Sequence, residues 1–151
     1  MKIAIGCDHG GLHLKNELIK HLKDMGYRVK DFGTYTSKSC DYPDIAFCVA
    51  EEVSKNNFER GVLVCGTGLG MAIAANKVQG IKAVTCHEPY SAEMSVKHNN
   101  ANIITFGERV IGLELAKLTL ISWLKASFEG ERHSKRVEKI DSYKSTMKET
   151  C

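Results

Sequence analysis

The stretch from Arg60 to Lys77 restricts the possible folds of this chain more than any other. Gly61 to Cys65 is an unbroken apolar and β-branched run, the pattern of a strand covered on both faces. Gly66-Thr67-Gly68-Leu69-Gly70 interrupts it, and Met71 to Asn76 resumes as alanine-rich helix. Glycine at alternate positions lets backbone approach a ligand closely and permits positive φ. A loop that opens a helix also presents free N–H groups, which favour an anion. The thiol of Cys65 stands at the strand's end, a potential base beside a potential oxyanion cradle.

The same alternation recurs along the chain. Lys2 to Gly6 predicts a buried strand, and Cys7-Asp8-His9-Gly10-Gly11 ends it before a helix with Leu14, Leu18, Ile19 and Leu22 on one face and a stop at Gly26. His13 and His21 fall on its solvated face. Tyr27 to Phe32 is a second strand, and the polar loop Gly33 to Asp41 is long enough to form a lid or a site wall. Asp41 is the expected N-cap of a helix opened by Pro43, with Ile45, Val49 and Val53 as its buried stripe. A strand from Lys82 to Cys86 follows, then a helix from Pro89 to Lys97 ending at His98-Asn99-Asn100. A strand from Ile103 to Phe106 and an amphipathic helix from Gly112 to Lys125 complete the series. This predicts an α/β fold: a three-layer, Rossmann-like, doubly wound parallel sheet of about five strands with helices on both faces. Sites in such sheets form beyond the carboxyl ends of the strands, where the winding reverses. Asp8-His9, the Cys65 loop and His98-Asn99 are expected to converge there.

At 151 residues the chain suits a single domain with a full core. A net charge of +3 with dispersed basic residues lacks the electrostatic footprint of nucleic-acid binding. No apolar run approaches membrane-spanning length, and Ile3-Ala4-Ile5 is too short for a signal h-region, so a cytoplasmic protein without membrane partners is expected. Six cysteines without a Cys-x-x-Cys pair are expected as free thiols. Glu129 to Cys151 is highly charged and predicts a turn and a helix, from about residue 130, packed on a partner subunit.

Several motif readings fail on spacing. A dinucleotide fingerprint would need glycine at Met71, and no Lys-Ser/Thr pair closes the loop as a Walker motif requires. The His-Glu-x-x-His motif of a zinc site is absent. Asp8 by itself reads as a helix cap. Arg132 and Arg136, four residues apart with His133 beside them, form either a solvated face or a phosphate clamp built from forked donors.

Taken together, Asp8-His9-Gly10-Gly11, Asp41-Tyr42-Pro43, Cys65 to Gly70, Ala74-Ala75-Asn76-Lys77, Glu88-Pro89-Tyr90, His98-Asn99 and Gly130-x-Arg132-His133 resemble the type B ribose-5-phosphate isomerases. The resemblance runs from Met1 to about Ile140, and the wider family includes galactose-6-phosphate and allose-6-phosphate isomerases. It implies an aldose–ketose isomerase of the pentose phosphate pathway that interconverts ribose 5-phosphate and ribulose 5-phosphate through an enediolate. It further implies no metal or nucleotide cofactor, and a homodimer or homotetramer with sites between subunits. By the same resemblance Cys65 is the base, His98 the ring-opening acid and Thr67 a further catalytic group. Asp8, His9, Asn99, Gly66, Gly68, Leu69 and Gly70 would bind the sugar or its enediolate, and Arg109, Arg132 and Arg136 the phosphate. One branch of the family carries a glutamate base where this chain has Met71; methionine cannot serve, which leaves Cys65. A free thiol of pKa about 8.5 is a poor base until its thiolate is stabilised, as a helix N-terminus and arginines would do. Two other classes stay open: a sugar-phosphate sensor, which would not need Cys65 together with His98, and a thiol redox protein, for which no resolving cysteine lies nearby in sequence.

Overall fold

The computed structural model describes residues 1–143. Strands β1 (Lys2–Cys7), β2 (Arg28–Asp31), β3 (Arg60–Cys65), β4 (Ala83–Thr85) and β5 (Ile103–Gly107) pair in parallel in the order β2-β1-β3-β5-β4. Helices α1 (Leu12–Asp24), α4 (Pro89–Asn99) and α5 (Leu113–Lys125) cover one face, and α2 (Tyr42–Ser54) and α3 (Leu69–Ala75) cover the other. Strand side chains alternate between the two layers. Val62 and Val64 meet Leu18, Val96 and Leu120, while Leu63 and Cys65 meet Val49, Val53 and Met71. The three-layer, doubly wound sheet is therefore the architecture the sequence predicts.

Where the boundaries differ, local chemistry accounts for it. Helix α3 begins at Leu69, two residues before the apolar run, so the glycine loop proper is Gly66 to Gly68. Gly68, at φ +81°, turns the chain into the helix. Gly70 lies inside the helix, where the Tyr42 ring covers its bare Cα: a Cβ there would stand 2.8 Å from the ring. Asp41 occupies the N-cap of α2 without a side-chain capping bond, and Pro43 stands in the first turn. Glu88 does cap α4, accepting from Tyr90 N and Ser91 N at 2.7 Å each.

The charged C-terminal segment forms a 3₁₀ turn (Glu131–His133) and α6 (Ser134–Asp141). Of its described residues α6 buries Val137, and Lys82 holds its end through Asp141 at 2.9 Å. Residues 144–151, including Cys151, lie outside the described residues. Among those described, no helix is long and apolar enough to cross a membrane.

A buried ion pair fixes the β2 end of the sheet. The Lys15 ammonium, with no side-chain exposure, donates to both Asp31 oxygens at 2.8 and 2.7 Å and to Thr34 O at 2.7 Å. Asp31 also accepts from Gly33 N at 2.9 Å, which anchors the start of the loop that runs to Asp41. The Asp31 side chain keeps 25% exposure, so the two partners are unequal. Asp31→Ala leaves an ammonium unpaired in the core and should lower the unfolding free energy by about 3–5 kcal/mol. Lys15→Met leaves a carboxylate that water can reach and should cost less. Urea unfolding of both variants at neutral pH measures the order, and a larger loss for Lys15→Met would refute it.

Candidate active site

The loops after β1 and β3 face each other across the crevice where the winding reverses, because α1 leaves β1 on one face and α3 leaves β3 on the other. Cys65, 6% exposed, ends β3 on the α3 side. The N–H of Gly68 donates to its Sγ at 3.1 Å. Thr67 is exposed, and its Oγ1 accepts from Leu69 N at 3.4 Å. Asp8 is buried and accepts from Gly10 N at 2.8 Å, so it does cap the turn that leads into α1. His9 is exposed, and its Nδ1 accepts from Cys40 N at 3.3 Å, which leaves the proton of a neutral ring on Nε2.

The loop after β5 closes the same end. Glu108 N donates to Cys65 O at 2.9 Å and Arg109 N to Gly66 O at 3.1 Å. The Glu108 carboxylate accepts from Leu14 N at 2.8 Å, capping α1 from another loop. Arg109 lays its guanidinium against Gly66, where an added Cβ would stand 3.5 Å from it. A thiol, its N–H donor, a carboxylate, an imidazole and a guanidinium thus share one end of the sheet. Two other thiols are unsuited to chemistry: burial pushes Cys7 up to about 12 and Cys86 up to about 11.

His98 and Asn99 lie elsewhere. Helix α4 leaves the carboxyl end of β4 and returns the chain to the amino end of β5, so its last turn sits at the amino end of the sheet. There the His98 ring stacks on His133, with centroids 4.4 Å apart and planes 10° from parallel. Glu129 Oε2 is 4.0 Å from His98 Nε2 and 3.9 Å from His133 Nε2, and Arg132 Nε donates to His133 Nε2 at 3.2 Å. Burial, and after it the positive fields of His98, Arg132 and Arg136, hold His133 below the ordinary histidine range, while Glu129 opposes them. His133 is accordingly a neutral acceptor for Arg132, and both guanidiniums gather around the two rings.

The ligand atoms of His98, Glu129 and His133 lie within 4.8 Å of one another, close enough to raise the question of a metal. The ring planes argue against one. Stacked rings hold their nitrogen lone pairs side by side, whereas one ion about 2.1 Å from each nitrogen needs them to converge. Arg132 already occupies the His133 nitrogen and adds positive charge.

One chain therefore brings together Asp8, His9, Cys65, Gly66, Thr67, Gly68, Leu69, Gly70 and Arg109, and separately His98, Asn99, Arg132 and Arg136. The register pairs Cys65 with Gly107 and Gly61 with Ile103, so the two ends are four residue steps apart, roughly 13 Å. The expected convergence of His98-Asn99 with Cys65 does not occur within a chain, because the helix carrying them runs antiparallel to the strands. Three neighbours of these groups were given no role of their own by the sequence. His133 stood inside the quoted Gly130-x-Arg132-His133 motif, and Glu129 gave no signal beyond its charge. Thr105 interrupts the apolar run Ile103-Ile104-Thr105-Phe106, a visible sign that a buried hydroxyl has a partner.

Comparison with known proteins identifies the family and the fold. The model of the Ribose/Galactose Isomerase family matches residues 3–140. Ribose-5-phosphate isomerase B of Escherichia coli is 52% identical over 139 residues, covering 92% of this chain and 93% of the relative. D-erythrulose-4-phosphate isomerase of Pectobacterium atrosepticum is 45% identical over 144 residues and covers 95% of both chains. Among solved structures, ribose-5-phosphate isomerase B of Clostridium thermocellum superposes with a TM-score of 0.92 at 55% identity, over 93% of this chain and 95% of that one. By sequence and by fold this chain is a member of the Ribose/Galactose Isomerase family, and an isomerase.

Proposed function

We propose that the protein interconverts ribose 5-phosphate and ribulose 5-phosphate, with Cys65 as the base and His98 as the acid that opens the furanose ring. The observation that carries this reading is the Gly68 N–H on Cys65 Sγ at the switch point of the sheet. An aldose–ketose isomerase must remove a weakly acidic C–H proton, hold the enediolate and return the proton one carbon away. In the proposed cycle His98 protonates the ring oxygen as the C1–O bond breaks and a solvent water takes the O1 proton, leaving the open aldehyde. The Cys65 thiolate then takes the C2 proton, and the electron pair moves through the new C1–C2 double bond onto O1. The loop N–H groups, with Thr67, Asp8, His9 and Asn99, bind the enediolate and the sugar hydroxyls. Return of the proton to C1, with transfer of the O2 proton to O1, gives the ketose. Arg109, Arg132 and Arg136 hold the phosphate.

The site is composite in this reading. Separation of the Cys65 loop from the His98-Arg132 cluster by the length of the sheet supports a second subunit as the source of one set. Leu69 and Ile73, one turn apart on α3, are 58% and 66% exposed beside the glycine loop, apolar surface that a homodimer would cover. The charged segment from about residue 130 would then serve the partner's loop.

The substrate is tested by a coupled assay of ribose 5-phosphate against erythrulose 4-phosphate, allose 6-phosphate and galactose 6-phosphate, where the highest kcat/KM should fall to ribose 5-phosphate. A higher value for one of the others would reassign the sugar. Cys65→Ala should bind substrate yet lose turnover and deuterium exchange at C2, by at least ~3 kcal/mol in barrier; undiminished exchange would remove Cys65 as the base. Mixing inactive Cys65→Ala and His98→Ala subunits should restore activity, because each mixed dimer would hold one intact site of two. No recovery would place both residues in the same chain's site.

A further inference from the structure

Two threonines lie beneath the glycine loop. Thr105, on β5 and wholly buried, donates its hydroxyl to the carbonyl oxygen of Gly68 at 2.9 Å. Its Oγ1 is also 2.8 Å from Oγ1 of Thr85 on β4. A hydroxyl has one proton, and that of Thr105 is committed to Gly68, so Thr85 must be the donor between the two. The chain of bonds runs from Thr85 to Thr105 to the Gly68 carbonyl. Ala72 N takes the other side of the same oxygen at 3.1 Å, as the first bond of α3.

Gly68 is also the residue whose N–H reaches the Cys65 sulfur. Its left-handed backbone is the joint between that N–H and the pinned carbonyl. Without the Thr105 bond the carbonyl keeps only the Ala72 N–H, and the wide φ/ψ range of glycine lets the peptide tilt so that its N–H drifts from the sulfur. The surroundings leave it little alternative: a Cβ on Gly68 would stand 3.0 Å from the Phe106 backbone and 3.1 Å from the Thr85 methyl. The apolar neighbours in the strand, Ile104 and Phe106, do not call for a hydroxyl at position 105; the two oxygens 2.8 and 2.9 Å from it do. The hydroxyl is what ties the loop.

We propose that Thr105, supported by Thr85, is a positioning residue for the base: by fixing the Gly68 carbonyl it keeps the Gly68 N–H on the Cys65 sulfur. Neither threonine touches substrate. The proposal rests on the reading of Cys65 as the base for its catalytic consequence, but its direct readout does not. As the thiol ionises, the N–H···S contact becomes charge-assisted and strengthens, so its loss shows first in how readily the thiolate forms.

The test is alkylation of the folded protein by iodoacetamide over a range of pH, with Cys65 followed by peptide-resolved mass spectrometry. In Thr105→Val the pH midpoint of Cys65 alkylation should move up by roughly half a unit to one unit, and kcat should fall roughly threefold to tenfold with KM unchanged. Thr105→Ser keeps the hydroxyl and should restore both. Thr85→Val should shift the midpoint in the same direction by less, and it carries the test if Thr105→Val does not fold. An unmoved midpoint in the folded Thr105→Val protein, or in Thr85→Val where that variant stands in, overturns the proposal. A fall in kcat without a shift in alkylation would do the same, because it would mark a merely structural role. A shifted midpoint in a protein whose Cys65→Ala variant still turns over would leave the positioning intact and sink the base instead.

Discussion

Burial of a parallel sheet on both faces is the constraint from which the rest of this structure follows. Every residue of β5 and nearly every residue of β3 is buried, so the middle of the sheet has no room for water or substrate. Polar chemistry is confined to the two ends. The carboxyl end gathers the Cys65, Asp8 and Arg109 loops, and the amino end gathers His98, His133 and Arg132. A single chain cannot fold one end onto the other without unmaking its core, and this gives a physical reason for the composite site proposed above.

The two ends also differ in character. At the carboxyl end the donors are backbone N–H groups held in place by bonds to neighbouring loops, with the Arg109 guanidinium beside them, and the candidate base is one thiol. Such donors are fixed before substrate arrives and need little rearrangement as charge develops. At the amino end the donors are long guanidiniums around a stacked pair of imidazoles, one of them held neutral. Forked, mobile cations suit a phosphate dianion, and preorganised N–H groups suit an enediolate. The division of labour in the proposed reaction follows the kinds of backbone each end of the sheet offers.

The stiffness of the carboxyl end comes from bonds between segments distant in sequence. Glu108 caps α1 across 94 positions, and Thr105 reaches Gly68 across 37. Lys15 and Asp31 anchor the start of the loop whose Cys40 N–H meets His9. None of these bonds belongs to a helix or a sheet ladder, and each fixes the position of a loop the proposed chemistry uses.

The sequence alone determined the layers and the glycine loop. Hydrophobic period and glycine placement are local properties, and a run such as Gly61 to Cys65 followed by Gly66-Thr67-Gly68 permits few backbone paths. It also supplied the motif residues, since a resemblance carried by ordered short motifs survives changes elsewhere in the chain. Element ends were less legible: Gly70 read as loop, yet it is helical, and its glycine answers to Tyr42, distant in sequence, which fills the space its missing Cβ leaves. Only the tertiary structure decided which site residues meet, because that depends on strand order and on the direction in which α4 returns. His98 follows Cys65 by 33 positions along the chain and yet stands at the other end of the sheet. Neither periodicity nor motif spacing encodes that distance, which is set by packing each helix antiparallel against a sheet it must cover.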